Sequence, residues 1–270
     1  MLFRSNSLMR IVRFSPIENK QLGTDPLFGI LDSENIKVIK GDPIYAGITP
    51  TGATVKLSDV RLLAPVIPRS KVVCVGKNYA DHAKEMDSQV PEEPVIFLKP
   101  NTSVIGPNDL IQWPRSSERV DFEGELAIVI SRICKEVPKE RASDVIFGYT
   151  IANDVTARDL QKKDGQWNRG KGFDTFCPLG PWIETDFRPE SQKIITKLNG
   201  EVKQSEPISS MIFKIPTIIE FITSVMTLLP GDVILTGTPA GIGPMPANSE
   251  ISVTIEGIGT LTNKVSPRAK

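Results

Sequence analysis

Val120-Asp-Phe-Glu-Gly-Glu-Leu-Ala-Ile-Val-Ile130 is the stretch on which the reading of this chain turns. In an extended strand, alternate side chains share a face. Asp121, Glu123 and Glu125 therefore project together, followed on the same face by Ala127 and Val129. Phe122, Gly124, Leu126, Ile128 and Ile130 form the other face. A solvated face stays polar along its length. This one turns apolar, which puts the acids where a strand leaves a core. Glutamates held side by side repel unless positive charge lies between them. Gly124 leaves open space on the opposite face.

A second apolar segment, Tyr149-Thr-Ile-Ala-Asn-Asp154, also ends in an acid. Two adjacent strand ends could bring Glu123, Glu125 and Asp154 to one point. Three carboxylates suit an octahedral Mg²⁺ or Mn²⁺ and leave positions for water and substrate. The competing reading is an acidic strand edge that keeps sheets from pairing with other chains. Spacing alone favours that plainer reading.

Composition narrows the chemistry. The 270 residues suffice for one large or two modest domains. Lys plus Arg and Asp plus Glu each number 32, giving zero net charge and no sign of a nucleic-acid groove or membrane-facing basic surface. No apolar run is long enough to span a bilayer. Met1–Arg10 lacks the apolar segment of a signal peptide, and residues 1–8 read as a disordered extension. Three scattered cysteines, Cys74, Cys134 and Cys177, form no CxxC pair and fit a reducing cytoplasm. The single histidine, His82, excludes a metal site built from several histidines of one chain. Any ligand set must be mostly oxygen, which points to a hard cation.

The remaining pattern is β-rich α+β, with many short strands and few helices. Strands are predicted at Ile11–Phe14, Phe28–Leu31, Ile36–Lys40, Val72–Val75, Val95–Leu98, Glu123–Ser131, Gly148–Asp154, Ile194–Leu198, Val233–Thr236 and Ile251–Glu256. Asn199-Gly200 is a type I′ hairpin signal. Helices are predicted at Asn78–Met86, with Asn78 as cap, at Thr156–Lys163, and at Pro216–Leu229. The Pro-containing link Leu63–Pro68 puts a domain boundary near residue 66, dividing 1–66 from 67–270.

Several motifs occur in a familiar order. Val75-Gly-Lys-Asn-Tyr-Ala-Asp-His82, Phe97-Leu-Lys-Pro100, Asp121-Phe-Glu-Gly-Glu-Leu126, Asn153-Asp-Val-Thr-Ala-Arg-Asp159 and Leu235-Thr-Gly-Thr-Pro-Ala-Gly-Ile-Gly243 resemble the fumarylacetoacetate hydrolase family. The likeness covers about residues 70–265, and the first 65 residues resemble the family's small N-terminal domain only loosely. Within the family, the chain resembles the branch of acylpyruvate hydrolases, oxaloacetate decarboxylases and 2-hydroxyhepta-2,4-diene-1,7-dioate isomerases.

The resemblance implies a mixed β-sandwich roll with a small N-terminal β domain, and a homodimer. It implies that Glu123, Glu125 and Asp154 hold Mg²⁺ or Mn²⁺, which reverses the preference drawn from spacing. It further implies that Arg158 and Gln161 line the substrate site. Lys171 would stabilise negative charge near the metal, and Thr238 with neighbouring amides would hold a substrate carboxylate. His82 and Glu85, three apart on one helix face, would form a dyad on a lid, with Asp87–Pro94 as a mobile connection. Read without the resemblance, that pair is a surface ion pair, Lys171 a solvated loop lysine and Arg158 a salt-bridge partner of Asp154 or Asp159. Lys77, Tyr79 and Lys99 are lesser substrate-site candidates.

The implied reaction is divalent-metal-dependent cleavage of the C3–C4 bond of a small 2-oxo acid through a metal-held pyruvate enolate. Oxaloacetate decarboxylation and acylpyruvate hydrolysis are the leading forms, with His82 as base for an attacking water. The isomerase is the alternative within the family. A non-catalytic 2-oxo acid binding protein is the alternative of another class, although pure binding needs no base. Glu123→Ala or Asp154→Ala is expected to abolish turnover and leave the fold intact.

Overall fold

The computed structural model describes residues 9–17, 22–23, 25–86 and 89–268. The expectation of a disordered 1–8 extension, and the Asp87-Ser88 part of the lid connection, lie outside those residues.

The strand Gly124–Ile130 is the centre of the molecule. All seven of its residues are buried. It pairs antiparallel with Ile146–Asn153 on one side and Val233–Leu235 on the other. Val233–Leu235 pairs parallel with Val72–Gly76, which pairs antiparallel with Val95–Lys99 at the sheet edge. In the other direction, Ile146–Asn153 leads to Cys177–Glu184 and then to Arg10–Pro16. Leu27–Asp32, Asn35–Ile39 and Pro50–Lys56 extend the same sheet in succession. The N-terminal strands therefore continue the large sheet, while packing Val12, Phe14, Leu31, Ile36 and Val38 into an apolar cluster of their own.

Both faces of the central strand are covered. Ala127 and Val129 pack with Cys74, Ala152, Leu179 and Leu235. Leu126, Ile128 and Ile130 pack on the opposite side with Ile218, Ile219 and Ile222 of the helix Ile215–Val225. Each such aliphatic side chain contributes about 1.5–3 kcal/mol when fully buried. A five-stranded sheet, formed by Lys193–Leu198, Glu201–Pro207, Glu250–Ile255, Gly259–Val265 and Leu110–Ile111, covers the acidic end of the strand from the Gly124 side. The arrangement is a β-rich mixed roll.

The helices differ from expectation for local reasons. Ala80–Glu85 begins after Tyr79, not after an Asn78 cap. The Asn78 side chain instead donates to Phe213 O and Thr236 O and accepts from Phe213 N. Thr156-Ala157 is a short strand paired to Val120-Asp121, so the second helix runs from Arg158 to Asp164. The third ends at Val225, because Leu228 exchanges backbone hydrogen bonds with Cys134. The Asn199-Gly200 hairpin joins Lys193–Leu198 to Glu201–Pro207, with φ of 50° and 84°.

Candidate active site

Glu123 sits between the strands Val120–Phe122 and Gly124–Ile130, so its backbone is free of regular pairing. Its amide donates to the Asn153 side chain at 2.9 Å, and its carbonyl accepts from the Asp154 amide at 2.8 Å. These two bonds lock the end of one strand against the end of its neighbour. Glu125 lies one pleat further on the same face. Ligand atoms of Glu123, Glu125 and Asp154 all fall within 4.8 Å of one another, and all three residues are buried.

Cations surround this triad unevenly. The Lys171 ammonium donates to Glu123 at 2.7 Å and to Asp154 at 2.8 Å. Lys99, 1 % exposed, donates to Asp154 and, at 3.2 Å, to the Val155 carbonyl. Arg158 donates to Glu123, to Asp121 at 2.9 Å and to Gln161 at 2.6 Å. Arg158 thus pairs with Asp121 and Glu123, and neither expected partner, Asp154 nor Asp159, is engaged by it. Glu125 has no cationic partner among the described residues. Its carboxylate accepts only the Gly237 amide, at 2.7 Å.

The titration of the triad follows that asymmetry. Burial works against ionising Glu123, but Lys171, Arg158 and His82 outweigh it and lower its pKa. Burial raises the pKa of Glu125 well above the usual range, and the charges of Asp154 and Glu123 push the same way. Burial works against the Lys171 charge, yet Asp154 and Glu123 raise its pKa. Three crowded carboxylates, one of them with no direct ion-pair partner among the described residues, fit a hard divalent cation. Glu123, Glu125 and Asp154 are the residues that could hold it.

A cleft opens over the triad. Its lining includes His82, Arg158, Gln161, Lys171, Thr238 and Lys77 with the three acids, so most of the expected site residues converge. His82 is buried, with Nδ1 3.4 Å from Glu85. Glu85 in turn accepts the Gly241 amide at 3.2 Å, tying the helix to the 236–243 loop. The Thr238 hydroxyl donates to Gly124 O at 2.9 Å and accepts from Gln204 at 2.8 Å. The neighbouring Gly237 amide already serves Glu125. Tyr79 is not brought to the cleft. It is buried with Val73, Leu126 and Met211, and its hydroxyl has no hydrogen-bond partner among the described residues.

Five cleft residues were not singled out from the sequence: Val75, Gly76, Met86, Phe97 and Trp167. Trp167 meets Phe97 edge-on at 5.2 Å. Phe97 lies in the Phe97–Pro100 motif, which carried a signal. Trp167 sits in an irregular loop with none. Lys99 proves central to Asp154, and Asp121 serves beneath the triad by orienting Arg158.

A buried, oxygen-only acidic centre at the ends of two paired strands, inside a β-rich roll, defines an enzyme scaffold with a candidate divalent-cation site. The chain belongs to the fumarylacetoacetate hydrolase family: the family's fumarylacetoacetate (FAA) hydrolase C-terminal model matches residues 71–266, and an Rv2993c-like N-terminal model matches residues 9–65. It is 60 % identical over 225 residues to Protein Rv2993c of Mycobacterium tuberculosis, covering 82 % of this chain and 84 % of that one. It is 44 % identical over 223 residues to the oxaloacetate tautomerase YisK of Bacillus subtilis, covering 77 % and 74 %. The crystal structure of a 2-hydroxyhepta-2,4-diene-1,7-dioate isomerase from Mycobacterium marinum superposes with a TM-score of 0.87 at 49 % identity, covering 96 % of this chain and 100 % of that one. Among the described residues, no helix is long and apolar enough to cross a membrane.

Proposed function

We propose that this chain is a divalent-metal-dependent tautomerase of a small 2-oxo diacid, with oxaloacetate as the leading substrate. The observation that carries this reading is the juxtaposition of the acidic triad with Lys171 and His82 in one cleft. Relatives named as a tautomerase and an isomerase move protons without cutting C3–C4. That favours proton transfer over the cleavage expected from the sequence. A divalent ion on Glu123, Glu125 and Asp154 would supply Lewis-acid polarisation of a chelated 2-oxo acid.

The chain's own residues account for the rest. Lys171 places a fixed positive charge against the triad, where it stabilises negative charge developing on the substrate oxygen. His82, which lines the cleft, would give a proton to C3 or take one from it, with Glu85 at 3.4 Å orienting its ring. Arg158 orients Glu123, one of the three acids, and holds Gln161 at the cleft wall. A second reading, C3–C4 cleavage, is favoured by one feature: the His82–Glu85 pair could equally activate a water.

The test follows both reactions in one sample. Purified protein, chelator-treated and then supplied with Mn²⁺ or Mg²⁺, is mixed with enol-oxaloacetate. Loss of the enol is read by ultraviolet absorbance, and pyruvate by a coupled dehydrogenase. The expected result is metal-dependent ketonisation that outruns pyruvate release. Pyruvate release matching enol loss replaces tautomerisation with decarboxylation. Neither signal above the protein-free rate sinks both.

A further inference from the structure

The positive groups around the cleft are not equally available. Lys171 and Arg158 are engaged by the chain's own carboxylates. Lys77 is the one Lys or Arg lining the cleft, among the described residues, that has no carboxylate partner. Its ammonium lies 6.0 Å from the centre of the Trp167 ring, at the outer limit of a cation–π contact, so it is steered without being neutralised.

The backbone is built to put it there. Lys77 has φ of 57°, a left-handed conformation that a residue with a Cβ adopts at a cost. The following residue enforces it. Asn78 is fully buried and clamped by Phe213 and Thr236 through its side chain, and by Ile212 through its carbonyl. The preceding Gly76 lets Trp167 approach closely. A Cβ at that position would stand 2.6 Å from the indole. Strand end, clamp and indole together aim one unpaired ammonium into a cleft whose other cations are taken.

We infer that Lys77 is the specificity-determining residue of this cleft and binds the distal carboxylate of a dicarboxylic ligand. This rests on the proposed 2-oxo diacid site and assigns the residue by which it prefers diacids over monoacids with a neutral tail. The acid group next to the 2-oxo carbon faces the triad, and the second carboxylate reaches Lys77 beside Trp167.

Equilibrium binding tests this apart from turnover. Malate and 2-hydroxybutyrate are stable chelating acids that differ only in carboxylate against methyl at the distal carbon. Calorimetry on the Mn²⁺-loaded wild-type protein is expected to show malate bound more tightly. Lys77→Gln is expected to lose about 10–100-fold in malate affinity, the scale of one charge-assisted hydrogen bond, and leave 2-hydroxybutyrate unchanged. Lys77→Arg should restore most of the preference. Equal wild-type affinities, or a malate preference that survives Lys77→Gln, overturns the inference. Equal weakening of both ligands in Lys77→Gln also overturns it, since that marks a general disturbance of the cleft. A Lys77-dependent malate preference in a protein inactive on every 2-oxo acid upholds the inference and removes the proposed reaction instead.

Discussion

At the scale of single residues, the three acids differ in what holds them, and their variants should differ accordingly. Glu123 pairs with both Lys171 and Arg158. Removing one partner of a buried pair leaves uncompensated charge and costs about 3–5 kcal/mol. Glu123→Ala should therefore lose stability as well as metal binding, so its expected effect is not confined to turnover. Glu125 pairs with no cation among the described residues, and the Gly237 amide can still be accepted by an amide oxygen. Glu125→Gln should keep its urea midpoint near that of the wild type while losing Mn²⁺ binding. Chemical denaturation and metal titration of the two variants, side by side, check this contrast. Equal stability losses would show that the Lys171 and Arg158 pairs carry no special weight. His82 invites a kinetic test of its own. If it moves the proton, His82→Ala should lower kcat by about 10²–10⁴-fold with a smaller change in KM. An unchanged kcat would take His82 out of the proton-transfer role.

Among the elements, legibility in the sequence tracked how far local pattern decides the structure. The period-2 alternation around Glu123 and Glu125 was readable because one face turns from acid to apolar. That this strand begins beside the end of Ile146–Asn153 was readable too, since the first opens with acids and the second runs into one. Cys177–Glu184 was not, although it bridges the N-terminal strands to the rest of the sheet. Its two prolines and a glycine argue against a central strand, and tertiary packing overrides them. Trp167 was equally invisible, because its place over Gly76 depends on a contact 91 positions away in sequence. Gly124 lies between these cases. The sequence showed that its face was open, but not what fills it. A Cβ there would stand 2.2 Å from Thr196 Oγ1 and 3.0 Å from Val253 Cγ1, both on the five-stranded sheet. Gly124→Ala should thus push the two sheets apart at the acidic end of the strand. The expected cost is about 1–3 kcal/mol of overpacking, read as a lower urea midpoint. Activity should fall with it, because the Gly124 carbonyl holds Thr238. A variant with wild-type midpoint and rate would mean that the sheets yield without disturbing the site.

For the whole molecule, the site belongs to the folded state alone. Glu123 and Glu125 come from one strand and Asp154 from the end of its neighbour, while Gly237, which holds Glu125, comes from near the C-terminus. No unfolded chain brings these groups together at comparable cost in entropy. An ion that binds them therefore stabilises the native state by mass action. At a free concentration about 100-fold above its Kd the gain is about 2.7 kcal/mol. In a chain of this size each kcal/mol moves Tm by about 2–4 °C, so a rise of about 5–10 °C is expected with Mn²⁺ or Mg²⁺. Burial together with Asp154 and Glu123 disfavours the ionised form of Glu125, so the metal competes with a proton there and the shift should grow as pH rises. Thermal unfolding of chelator-treated protein, with each metal added back and then removed by chelator, measures the effect and its reversal. The shift should vanish in Glu125→Gln and persist in Lys77→Gln, which alters the cleft but not the triad. A shift that survives Glu125→Gln would place the ion elsewhere. No shift in the wild type at millimolar metal would leave the acidic cluster as a set of internal ion pairs with Lys171, Lys99 and Arg158.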